Sequence, residues 1–155
     1  MNIRLCMLED HEKWIQLNRK FMDFEQTDEV FWNNADVISD IEFCNIFNMA
    51  LDSPEHITLM MIEEDGEPIG FLNLLSVFSV WAHGKALVLD DLFIEEEYRG
   101  RGIGRSVLKY LEEYTLQNGY KRLQFSSEFS NPSAHSFYTS LGYKNNDMHF
   151  YTKYM

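Results

Sequence analysis

Apolar positions change their period along this chain in a definite order. Residues 2 to 8 read as a first strand, and Trp14, Leu17, Phe21 and Phe24 then recur at helical spacing, so a helix is expected from its cap at Asp10 to about Phe24. Acids mixed with Phe31 and Trp32 make residues 25–35 read as a loop. A second helix is expected from about Ser39 to Leu51, with Ile41, Cys44, Ile46, Phe47 and Ala50 as its apolar side. Ser53-Pro54 ends it, because proline disfavours helical geometry in the residue before it. Apolar runs at Ile57 to Glu63, Pro68 to Val80 and Ala86 to Ile94 follow. Turn signals at Asp65-Gly66 and His83-Gly84 separate them, which predicts an antiparallel meander.

The periodicity then returns to helical. Ile103, Val107, Leu108, Leu111 and Tyr114 share one side of a helix closed by Asn118-Gly119, and Leu123 to Ser127 reads as the next strand. Strand, crossover helix and strand predict a right-handed parallel unit. Asn131 followed by Pro132 opens a short helix that Gly142 ends about three turns later. With 155 residues, 45% of them apolar, and no repeat or linker, the chain is expected to form one domain over residues 1–155.

The turn Tyr98-Arg99-Gly100-Arg101-Gly102-Ile103-Gly104-Arg105 carries the chemistry. Alternating glycines uncover main-chain N–H groups at a helix start, and three arginines flank them, a combination suited to an anionic phosphate. A P-loop would need Lys and then Ser or Thr after its last glycine, whereas Arg105-Ser106 follows Gly104. A dinucleotide fingerprint would need a G-x-G-x-x-G spacing that positions 100, 102 and 104 do not offer. What remains is R-x-x-G-x-G, read on Arg99, Gly102 and Gly104. It resembles the acetyl-CoA pyrophosphate loop of the GNAT superfamily of N-acetyltransferases. Asn131 to Tyr143 matches a second signature of that superfamily, N-x-x-A-x-x-F-Y-x-x-L-G-Y.

The resemblance implies a mixed α/β (α+β) fold: a twisted, mostly antiparallel sheet of six to seven strands, one parallel strand-helix-strand unit and about four flanking helices. It implies acetyl-CoA as cosubstrate, lying where the strands ending at Ile94 and running from Leu123 to Ser127 splay apart, and no metal. The backbone of Leu92, Phe93 and Ile94 would bond the pantetheine arm and thioester carbonyl. The N–H groups of Gly100, Arg101, Gly102, Ile103, Gly104 and Arg105 would take the pyrophosphate, with a charge-assisted contact from Arg99. Arg99 could instead pair with Glu95 to Glu97. Tyr138 falls at the tyrosine position that donates to the leaving thiolate, and Asn131 at a CoA-contacting asparagine, although capping its own helix also explains Asn131.

Asp90 and Asp91 are polar residues in the apolar run Leu87 to Ile94 and need a reason to be there. Alternation puts them on opposite faces, so one is expected in the cleft. Leu89-Asp90-Asp91-Leu92-Phe93-Ile94 is similar to the Leu-Glu-Asp-Phe-Phe-Val type of segment in spermidine/spermine acetyltransferases. There the glutamate is the base or orients water. Asp90 takes its place one methylene shorter, which suggests action through water, with Asp91 holding the cationic substrate. Both could instead cap or pair with neighbours. His83 reads as a solvated turn residue, and His135 is not fixed by the family pattern.

Charge refines the acceptor. The net charge is −12, but residues up to Tyr98 hold 21 acids against 5 bases, and the remainder 4 against 8. An acidic N-terminal part suits a cationic amine and a basic C-terminal part a polyphosphate, whereas a nucleic-acid partner would call for a basic face. A polyamine or diamine comes first, with an aminoglycoside or a protein or peptide amine as alternatives. Readings of another class are a non-catalytic acyl-CoA-binding domain and a generic nucleotide-binding module. No apolar run approaches the roughly 20 residues of a membrane span, so a cytoplasmic location is expected. Cys6 and Cys44 lack metal spacing and read as buried thiols. Superfamily members often dimerise, and a homodimer stays open.

Overall fold

The computed structural model describes residues 1–25, 38–127, 131–149, 151 and 153. The loop expected with Phe31 and Trp32 lies outside the described residues, as does the side chain of Phe24. By its contacts the chain divides into a unit of residues 1–125 and a unit of residues 126–155.

The first unit is built on a five-stranded sheet in the order β1 (Asn2–Leu5), β2 (Ile57–Glu64), β3 (Glu67–Ser79), β4 (Gly84–Ile94), β5 (Arg122–Phe125). The first three junctions are antiparallel and β4–β5 is parallel. These are the five strands the sequence marks out. The one or two more that the resemblance implies are not found among the described residues. The β2–β3 turn has positive φ at both Asp65 (53°) and Gly66 (86°), the primed geometry that matches strand twist. Helices α1 (His11–Glu25) and α2 (Asp40–Leu51) precede the meander, and α3 (Ile103–Gln117) makes the crossover from β4 to β5.

Alternation along the strands divides the core. Trp14 and Leu17 of α1 and Phe43 and Phe47 of α2 are buried with Leu59, Met61, Phe71 and Phe93 in one cluster. Leu72, Leu74 and Leu87 alternate with those strand residues, and like Ile103, Val107, Leu108 and Leu111 of α3 they are buried. In α2 the buried stripe is Phe43, Phe47 and Ala50, while Ile41 and Ile46 are exposed, so the expected apolar side is rotated. Wheel position alone did not show which of two competing apolar stripes meets the sheet. Cys44 is correspondingly half-buried rather than buried, and Cys6 is buried.

Capping also differs at one helix. Ser39 and Glu42 form a reciprocal box at the start of α2. Asp10 instead closes a 3-10 turn, accepting from Met7 N–H at 2.7 Å and from both terminal nitrogens of the Arg4 guanidinium at 2.6 and 2.8 Å. Arg4 holds its carboxyl below the usual range.

In the second unit α4 (Pro132–Ser140) starts as expected: Asn131 accepts from Ala134 N–H at 3.0 Å and Pro132 occupies the first turn. Among the described residues no helix is long and apolar enough to cross a membrane.

Candidate active site

The chemistry gathers where β4 leaves β5. Parallel pairing runs from Ala86↔Arg122 to Leu89↔Phe125 and stops there, while β4 continues to Ile94 against β3. Among the described residues no strand pairs with the β5 side of β4 from Asp90 to Ile94, which leaves an edge about 16 Å long at roughly 3.3 Å per residue. Main-chain donors and acceptors along such an edge can pair with an extended ligand as a strand would.

Asp90 begins that edge. The β3–β4 register pairs Asn73 with Asp91 and Leu74 with Leu89, so Asp90 is an inserted residue without a cross-strand partner. This bulge interrupts the strict alternation from which the two aspartates are expected on opposite faces. Leu89 and Asp91 would share a face under strict alternation, yet they lie opposite Leu74 and Asn73, which are neighbours and point opposite ways. Asp90 is solvent-exposed and Asp91 half-buried. Desolvation by the surrounding protein raises the carboxyl of each above its ordinary range. For Asp91 the Asn73 amide opposes that rise, donating to Oδ2 at 2.8 Å, and the charge of Asp90 adds to it.

The turn after β4 is the second part. A 3-10 turn at Glu96–Tyr98 leads to Arg99, whose Nε donates to the Ile94 carbonyl at 2.7 Å and whose guanidinium lies 5.5 Å from the Phe93 ring centre. The anticipated choice between phosphate and Glu95 to Glu97 as its partner thus gains a third term, the end of β4. Arg101 reaches Glu64 at 3.5 Å and lies over Tyr98 at 5.1 Å. Gly100 and Gly102 have φ of 75° and 83°, and a Cβ on either would meet nothing within 4 Å. Gly102 starts α3 with no side-chain cap, which leaves the first-turn N–H groups of Ile103, Gly104 and Arg105 without intrahelical acceptors beside exposed arginines. Bare main chain, a helix start and arginines fit a pyrophosphate.

Glu95 lies between the edge and the turn and is only 7% exposed. Lys20 hydrogen-bonds its carboxylate, and Lys13 approaches at 3.8 Å. Beside it a cavity of about 290 Å³ is lined by Lys20, Asp23, Phe93, Glu96 and Arg99 among others. Sequence reasoning considered Glu95 only as a partner of Arg99, Trp14 only as a core residue, and passed over Asn73. Asn73 carried a visible signal, a polar residue inside the apolar run Ile69 to Leu75.

Within the second unit Tyr138 is half-buried, with its ring centre 6.5 Å from that of Tyr143 and 5.3 Å from that of Phe137. Desolvation raises its phenol above the ordinary value, so it stays protonated through neutral pH. Asn131 does cap α4, as its alternative reading had it.

The acetyltransferase (GNAT) family model matches residues 12–143. The chain belongs to the GNAT family. Membership makes it an acetyl-CoA-dependent N-acetyltransferase. An uncharacterised GNAT relative from Bacillus subtilis, the N-acetyltransferase YhfO, is 29% identical over 93% of this chain and 90% of its own. The thialysine N-epsilon-acetyltransferase of Sus scrofa is 30% identical over 50% of this chain, a match that spans 48% of the pig protein. The crystal structure of a probable acetyltransferase superposes with a TM-score of 0.80 at 19% identity, covering 100% of this chain and 98% of the other, which shows that the GNAT fold is shared. Among the described residues no group of three or more His, Cys, Asp or Glu could hold a metal ion.

Proposed function

We propose that residues 1–155 form one catalytic domain that acetylates a primary amine of a cationic small molecule, polyamine-like or diamine-like, by direct attack within a ternary complex. The observation that carries the reading is the juxtaposition at the end of β4: an open main-chain edge, two aspartates at its bulge and a glycine-arginine turn at its far end. Acetyl-CoA supplies an activated acetyl thioester. Leu92, Phe93 and Ile94 would align its arm through their main chain, and the N–H groups from Gly100 to Arg105 would take the pyrophosphate, with Arg99 and Asn131 adding contacts.

The acceptor sets the remaining roles. A lysine-like amine has a pKa near 10.4 and must lose a proton before it attacks. Asp90, raised by desolvation and exposed to water, suits relay of that proton through a water molecule. Asp91 holds the ammonium group. Tyr138, kept protonated, donates to the departing thiolate. The name of the pig relative, which refers to an ε-amine, supports an amino-acid side chain or diamine as acceptor.

Thiol release from acetyl-CoA, followed against polyamines, diamines, lysine analogues, aminoglycosides and peptides, tests the proposal. Turnover is expected on the small cationic amines. Turnover confined to aminoglycosides or peptides would sink it.

A further inference from the structure

Asn73 sits in β3 between Leu72 and Leu74, both fully buried, and is itself 7% exposed. An amide at that depth needs partners at both ends, and it has them. Its Oδ1 accepts the Trp14 indole N–H at 3.3 Å, and its Nδ2 donates to Asp91 Oδ2 at 2.8 Å. The chemistry of the two neighbours sets the amide's orientation: an indole only donates and an ionised carboxylate only accepts, so a flipped amide would lose both bonds. Trp14 cannot drift from this arrangement. It is 3% exposed, with ring centres of Phe43, Phe47 and Phe71 at 6.0, 5.3 and 6.3 Å.

We propose that Trp14 and Asn73 are positioning residues for catalysis: the locked indole orients the Asn73 amide, the amide holds Oδ2 of Asp91, and Oδ1 is left for the ammonium group of the acceptor. This rests on the reading of Asp91 as the group that holds the acceptor. The arrangement answers a physical difficulty of the bulge. Two carboxylates in sequence, one half-buried, favour retention of a proton, and a protonated Asp91 would attract no cation. Desolvation and the charge of Asp90 both push its carboxyl up, and the Asn73 bond acts against them. Among the described residues Asp90 is the charge that acts on the Asp91 carboxyl, and Lys13 and Lys20 pair with Glu95 instead.

The test is the titration of the Asp91 side-chain carboxyl, followed by carbon NMR in the free protein and assigned with Asp91→Asn. In Asn73→Leu the donor is lost and the midpoint should move to higher pH. Asn73→Asp keeps an acceptor for Trp14 and sets a like charge against Asp91, so it should move the midpoint further in the same direction. It also serves if the leucine variant fails to fold. In parallel, Asp91→Asn should raise KM for spermidine about tenfold, the scale of one lost charge-assisted hydrogen bond. An Asp91 carboxyl that titrates alike in wild type and in the folded variants overturns the positioning role. A shifted carboxyl with unchanged spermidine KM in Asp91→Asn keeps the hydrogen-bonded chain but overturns the acceptor reading beneath it.

Discussion

Asp90 and Asp91 are adjacent in sequence, yet one is an inserted residue without a ladder partner and the other is tied to the core through Asn73. The need for two polar residues in an apolar strand could be read from composition, because uncompensated burial of a carboxylate is costly. The separate roles proposed for them could not, since they depend on where β4 carries an extra residue opposite β3. Tyr138 was singled out by its place in a motif, and desolvation of its phenol fits the acid role proposed for it. Tyr138→Phe should lower kcat by about 10²–10⁴-fold, the usual span for general acid catalysis, and leave acetyl-CoA affinity nearly unchanged. Single-turnover kinetics beside a binding titration measure both, and an unchanged kcat would remove the acid role.

At the scale of elements, the end of β4 depends on a residue in the neighbouring strand. Gly70 pairs with Ile94, and a Cβ built there would come within 2.2 Å of the Phe93 carbonyl oxygen. That contact is with backbone, so it cannot be relieved by turning a side chain. Gly70→Ala should push β4 away from β3 at Phe93. The expected cost is about 1–3 kcal/mol of stability, as for overpacked sites. Because the displaced segment is the one proposed to hold the pantetheine arm, acetyl-CoA affinity should fall too. Chemical denaturation and calorimetric titration read the two effects. A glycine inside a strand signals such an approach, but the sequence does not say which backbone approaches. Helix ends were easier to read, since Ser39 with Glu42 and Asn131 with Pro132 satisfy their own first turns locally. The buried face of α2 was harder, because Ile41 and Ile46 compete with Phe43 for the same sheet.

At the scale of the whole molecule, the uneven charge is the property with a measurable consequence. Residues up to Tyr98 hold 21 acids against 5 bases. A field of that sign raises the local concentration of a polycation and weakens as salt shortens the screening length to about 8 Å at 0.15 M. The KM for a polyamine acceptor should therefore rise several-fold between roughly 0.02 and 0.5 M salt, and that for a monoamine should rise less. Equal slopes for the two acceptors would assign the acids to solubility alone.

Several things about this chain were determined locally. The five strands and the helix ends follow from periodicity and from caps a few residues long. The turn proposed to bind an anion is read from glycines and arginines within a single stretch. The identity of the donor follows from that turn together with the Asn131 to Tyr143 signature. What only the tertiary structure decided are relations between residues far apart in sequence: the bulge that isolates Asp90, the chain from Trp14 through Asn73 to Asp91, the clamp of Lys13 and Lys20 on Glu95, and the edge where β5 ends beside β4. The physical reason is that register and burial belong to pairs of elements. A residue's own type and spacing state that it needs a partner, and packing alone selects which one.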